Sequence, residues 1–304
     1  MIRELQDKII ALKKEKGICL VAHTYQASEI LEVADIKGDS FQLSVGAQKV
    51  PEQTIVLAGV RFMAEGVKLL NPEKKVILAH PEAGCPMAEQ IAPARVAQFK
   101  QDNPGIPVVA YINTTAELKA VCDVCVTSST AVKIVSRMPE NEILFIPDCN
   151  LGDYVQRQLP DKKVNLWLGG CHVHAAVTEK DVLTAKKRHP GAPILIHPEC
   201  VPDVVKHADF VGSTSAILDY AAQSDAKEFV IGTEMSIAEH LAYQFPDKQF
   251  HMLSKKLVCP NMKITSLMDV YRAIAGTGGD EINLSPELMR DARRPIDKMI
   301  ELGS

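Results

Sequence analysis

The feature that most constrains this sequence is an internal repeat, present three times with a period of 85 to 88 residues. Each copy carries four landmarks in the same order. They are a polar pair (His23/Tyr25, Tyr111/Asn113, His197/Glu199), a small hydroxyl residue (Ser40, Ser128, Ser213), a turn residue (Gly59, Pro147, Gly232) and a cysteine (Cys85, Cys171, Cys259). Self-similarity at a fixed period is typical of repeated structural units. The chain is therefore predicted to fold as three similar units.

Apolar runs that resemble strands recur along the whole chain, and each is followed by a turn signal and a helical pattern. They are GICLVAH, QTIVLAG, KKVILAH, IPVVAYIN, NEILFIP, VNLWLGG, APILIHP, EFVIGTE and QFHMLS. This alternation predicts an α/β fold with parallel sheets. We expect domains at residues 1–86, 87–172 and 173–263, with the tail 264–304 packing back on the first domain.

The polar landmarks fall where predicted strands end and helices begin. In open parallel sheets, ligands bind beyond the carboxyl ends of the strands, where helix N-termini expose unpaired amides. If the three units pack about a pseudo-threefold axis with these ends facing inward, the matching residues converge on one site.

The charge and hydropathy of the sequence argue against a nucleic-acid partner and against a membrane span. The formal net charge is −4 and no basic stripe is present, which argues against a nucleic-acid partner. No stretch approaches the roughly 20 apolar residues of a membrane span. The first residues indicate an amphipathic helix rather than a signal peptide, so we expect a cytoplasmic protein.

Eight cysteines in 304 residues are too few for a disulfide scaffold, so metal ligation, redox chemistry or burial must explain them. Cys85, Cys171 and Cys259 alone share the repeat period. Of the others, Cys19 lies in an apolar strand, Cys149 and Cys200 are ambiguous, and Cys122 and Cys125 form a C-x-x-C that leaves a reversible disulfide open. Three thiolates suit a metal centre with one open position for substrate, which predicts Lewis-acid chemistry.

The order of short motifs along the chain resembles the quinolinate synthase family. The motifs are AHTYQ, GDSFQLS, YINTTAELKA, TSSTA, GGCHVH, HPEC, GSTS, GTE and CPNMK. The resemblance implies three homologous three-layer α/β/α domains with parallel sheets, related by a pseudo-threefold axis. It also implies a [4Fe-4S] cluster that is held by Cys85, Cys171 and Cys259 and acts as a Lewis acid. The activity implied is condensation of iminoaspartate with dihydroxyacetone phosphate to quinolinate, phosphate and water in NAD biosynthesis, with an L-aspartate oxidase or dehydrogenase upstream.

Such a reaction needs several proton transfers in one pocket. The resemblance makes Glu199 a general base, and His174 lies close to the metal in both the sequence and the family pattern. His23, Tyr25 and His197 can donate hydrogen bonds and move protons. The predicted substrate contacts are His23, Ser40, Tyr111, Asn113, Ser128, His197, Glu199, Ser213 and Thr214. We interpret His172 as structural, and Lys263 is left open between a cation beside the cluster and a surface lysine at a turn.

Two other functions remain open at this stage. One is a zinc hydrolase that uses two or three of the cysteines with His174 or His197 around an activated water. The other is an iron–sulfur sensor without catalysis. Against the sensor stands the periodic set of histidines, tyrosines and a glutamate, which a sensor does not need.

Overall fold

A computed structural model of the chain describes residues 1–303. Within them lie thirteen strands: β1 Ile18–His23, β2 Ile36–Gly38, β3 Thr54–Ala58, β4 Lys75–Leu78, β5 Val108–Tyr111, β6 Val124–Val126, β7 Glu142–Ile146, β8 Lys163–Leu166, β9 Ile194–Ile196, β10 Phe210–Val211, β11 Glu228–Gly232, β12 Gln249–Met252 and β13 Asp280–Glu281. None of the helices in this part of the chain is both long and apolar enough to cross a membrane.

Helices alternate with these strands. They are α1 Ile2–Lys16, α2 Ser28–Leu31, α3 Ser40–Gly46, α4 Arg61–Leu70, α5 Pro86–Glu89, α6 Pro93–Asp102, α7 Ala116–Ala120, α8 Ala131–Arg137, α9 Cys149–Gln158, α10 His172–Ala175, α11 Glu179–Arg188, α12 Pro202–Val205, α13 Thr214–Gln223, α14 Ser236–Gln244, α15 Pro260–Lys263, α16 Leu267–Ala275 and α17 Pro286–Gly303. A single 3-10 turn, Ala47–Lys49, follows α3.

The strands form three sheets with the same internal order. In each set of four, the strand that comes second in the chain lies at the edge beside the one that comes first. The spatial orders are β2-β1-β3-β4, β6-β5-β7-β8 and β10-β9-β11-β12. All pairings within these sets of four are parallel, and β13 alone adds an antiparallel strand beside β4. The predicted α/β class with parallel sheets is confirmed.

The chain divides into two compact units. The first consists of Met1–Glu89, Asn113–Ala120 and Cys259–Arg294 and contains the sheet of β1 to β4 with β13. The second consists of Gln90–Ile112, Val121–Val258 and the chain from Pro295 on, and contains the other two sheets. The three domains with boundaries after residues 86, 172 and 263 stay a prediction.

Alternate residues of β1 enter two different cores of the first unit. Cys19 and Val21 pack in one cluster with residues of α3 and α4, such as Leu43. Leu20 and Ala22 pack in the other with residues of α1 and α16, such as Ile9 and Val270. Because successive side chains point to opposite faces of a sheet, both faces are covered and a three-layer arrangement results. Residues of α16 in the tail thus belong to the core of the first unit.

An aspartate before the second strand recurs in all three repeats. Asp35, Asp123 and Asp209 each accept a 2.8 Å hydrogen bond from a backbone N–H of the first strand, donated by Leu20, Val108 and Ile194 respectively. The aspartate N–H in turn donates to the carbonyl of the same residue. This exchange fixes the start of each second strand beside the first.

A lysine before the fourth strand recurs with the same period. The ammonium groups of Lys74, Lys162 and Lys248 each donate to two backbone carbonyls at the end of the helix that precedes the third strand. The last carbonyls of a helix have no partner within the helix, and a cation there also interacts favourably with the helix dipole. Each repeat thus stabilises this helix end in the same way.

Candidate active site

The polar pairs predicted from the sequence lie at the carboxyl ends of first strands. His23 ends β1, Tyr111 ends β5, and His197 directly follows β9. The His23 and His197 rings each accept a hydrogen bond at Nδ1 from the backbone N–H two residues later, at 3.1 Å from Tyr25 and 3.3 Å from Glu199. A neutral ring that accepts at Nδ1 carries its hydrogen on Nε2. Both histidines in this neutral form therefore carry their N–H on Nε2.

Glu199 is the centre of a buried group in the second unit. Its side chain is 5% exposed, Oε1 accepts a 2.8 Å hydrogen bond from the phenol of Tyr111, and Oε2 lies 2.9 Å from Nδ1 of His174. The amide of Asn150 donates to the backbone carbonyl of Glu199 at 3.1 Å. The carboxylate is thus held from two sides by side chains that can donate or transfer a proton.

His174 connects this carboxylate to a cysteine. Its Nδ1 lies 3.2 Å from Sγ of Cys171, and its Nε2 lies 3.0 Å from the hydroxyl of Thr233. The ring centroid lies 5.0 Å from that of His197. Cys171, His174 and Glu199 present ligand atoms within 4.8 Å of one another, so this group has the composition of a metal site.

Asp148 is fully buried and bonds to the backbone that carries this group. One carboxylate oxygen accepts from the N–H groups of Asn150 and Leu151 and so caps the N-terminus of α9. The other oxygen accepts a 2.9 Å hydrogen bond from the N–H of Cys171. Burial, and next the charge of Glu199, raises the pKa of Asp148.

Burial and neighbouring charges act in opposite directions on the titratable groups of this site. Burial favours the neutral form of Glu199, but the nearby imidazoles of His197 and His174 and the hydrogen bonds from His174 and Tyr111 outweigh it and lower the pKa of the carboxyl. Burial lowers the pKa of His197 to about 4, although the charge of Glu199 opposes this. The hydrogen bonds from His174 and Tyr111 thus favour the ionised form of Glu199, whereas burial favours the neutral form of His197.

A second group of predicted residues lies in the first unit. The His23 and Tyr25 rings meet edge to face, with centroids 4.6 Å apart. Lys263 donates a 3.0 Å hydrogen bond to the carbonyl of Tyr25, so this lysine holds the turn rather than lying free at the surface. The hydroxyl of Ser40 lies 3.5 Å from Oδ1 of Asn113. The first unit thus brings together the polar ends of the first two repeats.

The three periodic cysteines share a local setting. Cys85, Cys171 and Cys259 each directly precede a short helix, namely α5, α10 and α15, and each is partly exposed. Cys85 and Cys259 pack against the same core cluster of the first unit. The remaining cysteines are buried except Cys149, and none of the eight forms a disulfide.

The predicted hydroxyl residues lie at three different positions relative to the starts of the helices that follow them. Ser213 is itself the N-cap of α13 and accepts from the N–H of Ala216, with Thr214 buried as the first helical residue. Ser40 is the first residue of α3, and Asp39 is the cap. Ser128 lies before α8, which begins only at Ala131 after a turn in which the hydroxyls of Thr127, Ser129 and Thr130 bond to one another. In the second repeat this turn leads into the helix, and Ser128 lies three residues before Ala131, the first residue of α8.

Sequence reasoning missed Asp148 and Thr233, which complete the buried group. Both directly follow turn landmarks, Pro147 and Gly232. The equivalent position in the first repeat is Val60, so the residue type after the turn does not repeat and gives no threefold signal.

The comparisons with known proteins agree along nearly the whole chain. The model of the family described as "Quinolinate synthetase A protein" matches residues 7–301. Three proteins named quinolinate synthase are similar to it: one from Alkaliphilus metalliredigens is 46% identical over 97% of both chains, one from Clostridium kluyveri is 47% identical over 98% of both, and one from Geobacter sp. strain M21 is 44% identical over 98% of this chain and 97% of its own. The family match extends over all three repeats and the tail. The chain therefore belongs to the quinolinate synthetase A family.

Proposed function

We propose that this chain is a quinolinate synthase that condenses iminoaspartate with dihydroxyacetone phosphate, giving quinolinate, phosphate and two waters. The observation that carries the proposal is the buried group of Glu199, Tyr111 and His174 beside Cys171. It combines an ionised base, a phenol and an imidazole with a potential metal ligand in one place. A pathway of condensation, isomerisation, ring closure and dehydration requires such a set of proton donors and acceptors.

The residues present fit a [4Fe-4S] cluster with three protein ligands. Thiolate is the ligand of iron–sulfur clusters, and Cys85, Cys171 and Cys259 are partly exposed whereas most of the other cysteines are buried in cores. Each is followed by a short helix whose first N–H groups favour negative charge on sulfur. When bound, the cluster would supply a Lewis acid at its iron without a protein ligand.

The acid–base roles follow from the side chains around Glu199. Its carboxylate, ionised at neutral pH, is the general base, and Tyr111 orients it through Oε1. His174 lies between this carboxylate and Cys171, where it can carry a proton between substrate and base. His197, His23 and Tyr25 supply further donors, since the two rings accept at Nδ1 and so carry their N–H on Nε2 when neutral.

The substrate-binding roles rest on hydroxyl and amide groups. Tyr111, Asn113 and the two histidines at the strand ends are suited to a dicarboxylate, as in iminoaspartate. Ser40, Ser128, Ser213 and Thr214 lie at or before helix N-termini, where hydroxyls and backbone N–H groups bind carboxylate or phosphate. We place the reaction in the cytoplasm, supplied with iminoaspartate by an L-aspartate oxidase or dehydrogenase.

The proposal is tested by anaerobic reconstitution with iron and sulfide, followed by incubation with oxaloacetate, ammonia and dihydroxyacetone phosphate. We expect a brown protein that forms quinolinate, identified by mass spectrometry, and no product when dihydroxyacetone phosphate is omitted. A fully loaded cluster without quinolinate formation would contradict the activity. A colourless protein that takes up zinc in place of iron would contradict the cofactor and favour a zinc hydrolase.

A further inference from the structure

Two histidines and a glutamate form a separate group at the opposite end of the third sheet. Glu228 is the first residue of β11, and His251 lies in the neighbouring strand β12. His189 directly follows α11. The polar residues of the candidate active site lie at or beyond the carboxyl ends of their strands, whereas Glu228 lies at the amino end of β11. This group therefore has no part in the chemistry proposed above.

The three side chains meet at a single oxygen. Nδ1 of His189 lies 2.7 Å from Oε1 of Glu228, and Nε2 of His251 lies 2.9 Å from the same atom. The two imidazole rings stack with centroids 3.7 Å apart and planes inclined by 18°. All three ligand atoms lie within 4.8 Å of one another. The pairing of the strands fixes this arrangement, because Glu228 pairs with Gln249, two residues before His251 on the same face of the sheet.

One buried nitrogen of this group has no hydrogen-bond partner. His189 makes a hydrogen bond to Glu228, but Nε2 of His251 is buried and has no hydrogen-bond partner in spite of its distance from Oε1. A buried polar nitrogen without a partner is costly. The hydrogen bond from His189 lowers the pKa of Glu228, so the carboxylate is ionised at neutral pH. Nε2 of His251 thus lies 2.9 Å from an ionised oxygen without a hydrogen bond, and a cation bound to both atoms would satisfy them.

We propose that His189, Glu228 and His251 bind a borderline divalent cation of the Zn²⁺ type. Two imidazole nitrogens and one carboxylate oxygen are a known zinc donor set, which leaves the fourth tetrahedral position to water. Both nitrogens now lie closer to Oε1 than the roughly 3.3 Å that zinc–nitrogen and zinc–oxygen bonds of about 2 Å require, so the side chains must rotate to admit the ion. Imidazole ligands favour such ions over Mg²⁺ or Ca²⁺.

The expected effect of the ion is to join three elements of the third repeat. It ties the end of α11 to the amino end of β11 and to the third residue of β12. The three side chains are 23%, 39% and 29% exposed, so an ion can enter from solvent. An ion that binds only the folded state raises the melting temperature, and above its Kd the stabilisation grows with the logarithm of the ion concentration.

The test uses the cluster-loaded protein dialysed against ZnCl₂ with a competing chelator, followed by metal analysis and thermal unfolding. We expect His189→Gln, His251→Gln and Glu228→Gln each to bind one zinc ion fewer than the unchanged protein, with at least a tenfold loss of affinity, and to lose the rise in melting temperature on zinc addition. The variants preserve size and polarity, and the melting temperature without zinc reports whether each is folded.

The matched control is His207→Gln. Nε2 of His207 lies 2.8 Å from Oε1 of Glu179, so this site has the same histidine–glutamate contact with only one imidazole. We expect it to bind zinc as the unchanged protein does. Equal zinc binding by all variants, or an equal loss in His207→Gln, would overturn the proposal, since the ion would then bind elsewhere or to any exposed histidine.

Discussion

The phenol of Tyr111 donates a 2.8 Å hydrogen bond to Oε1 of Glu199, although the two residues lie 88 positions apart in the sequence. The contact joins the strand end of the second repeat to that of the third. Tyr111 thereby orients the proposed base and stabilises its charged form, in addition to any contact with substrate.

Replacing Tyr111 by Phe therefore tests an interaction between repeats. A hydrogen bond to a charged group contributes about 1.5 to 3 kcal/mol, so we expect kcat to fall by a factor of about 10 to 100 while the cluster remains bound. The measurement is steady-state quinolinate formation. Tyr243→Phe is the control, because Tyr243 is 81% exposed and should leave kcat unchanged. Full activity of Tyr111→Phe would show that this hydrogen bond does not serve catalysis.

Substitutions at Glu199 and Cys171 should separate catalysis from cluster binding. We expect Glu199→Gln to retain the cluster and abolish turnover, because the amide keeps the shape but cannot accept a proton. Cys171→Ala should lose both. Iron and sulfide analysis with the visible absorption spectrum measures the cluster, and product analysis measures turnover.

Cys200→Ala is the matched control for the cysteine variant. Cys200 is buried in the same unit, and its thiol contacts the carbonyl of Gly232 at 3.7 Å. Burial raises the pKa of this thiol, as expected for a packing residue. The control should keep cluster and activity. Loss of the cluster in Glu199→Gln, or in Cys200→Ala, would contradict the roles assigned to these side chains.

Much of the fold could be predicted from the sequence because long apolar runs carry a strong signal. All nine predicted strand runs are strands. The second strand of each sheet was not among them, since β2, β6 and β10 have only two or three residues and end two residues before the hydroxyl landmarks. Their position depends on the exchange of hydrogen bonds with the first strand through Asp35, Asp123 and Asp209, which no apolar pattern reveals.

The site could be predicted only in part for a related reason. Periodicity selects residues that repeat, such as the polar pairs and the cysteines. Asp148 and Thr233 hold Cys171 and His174 in place, but the position equivalent to Asp148 in the first repeat is Val60, so no threefold pattern marks it. Residues that support one repeat alone need the structure.

The repeated lysines predict a shared contribution to stability. Replacing Lys74, Lys162 or Lys248 by Met should destabilise the protein, because each substitution leaves two carbonyls at a helix end without their donor. Hydrogen bonds from charged groups contribute about 1.5 to 3 kcal/mol when buried, so Lys74, which is almost fully buried, should show the largest loss, about 2 kcal/mol. Urea unfolding measures the change, and Lys8→Met, at an exposed position of α1, is the control. A cost no greater than that of Lys8→Met at all three positions would show that these contacts do not stabilise the fold.

The buried His197 predicts how stability changes with pH. Burial lowers its pKa to about 4 in the folded protein, whereas an unfolded histidine has a pKa of about 6.5. Between these values the unfolded state binds more protons than the folded state, so the free energy of unfolding decreases as the pH falls. From about pH 7.5 to pH 5 the loss from this residue alone amounts to about 2 kcal/mol.

His197→Asn keeps an acceptor for the N–H of Glu199 but does not titrate, so its stability should depend less on pH by that amount. Urea unfolding of both proteins across this range measures the contribution of His197 together with its effect on the pKa of Glu199. Parallel pH profiles would mean that folding does not lower the pKa of His197, and its assignment as a neutral donor beside Glu199 would then lose its support.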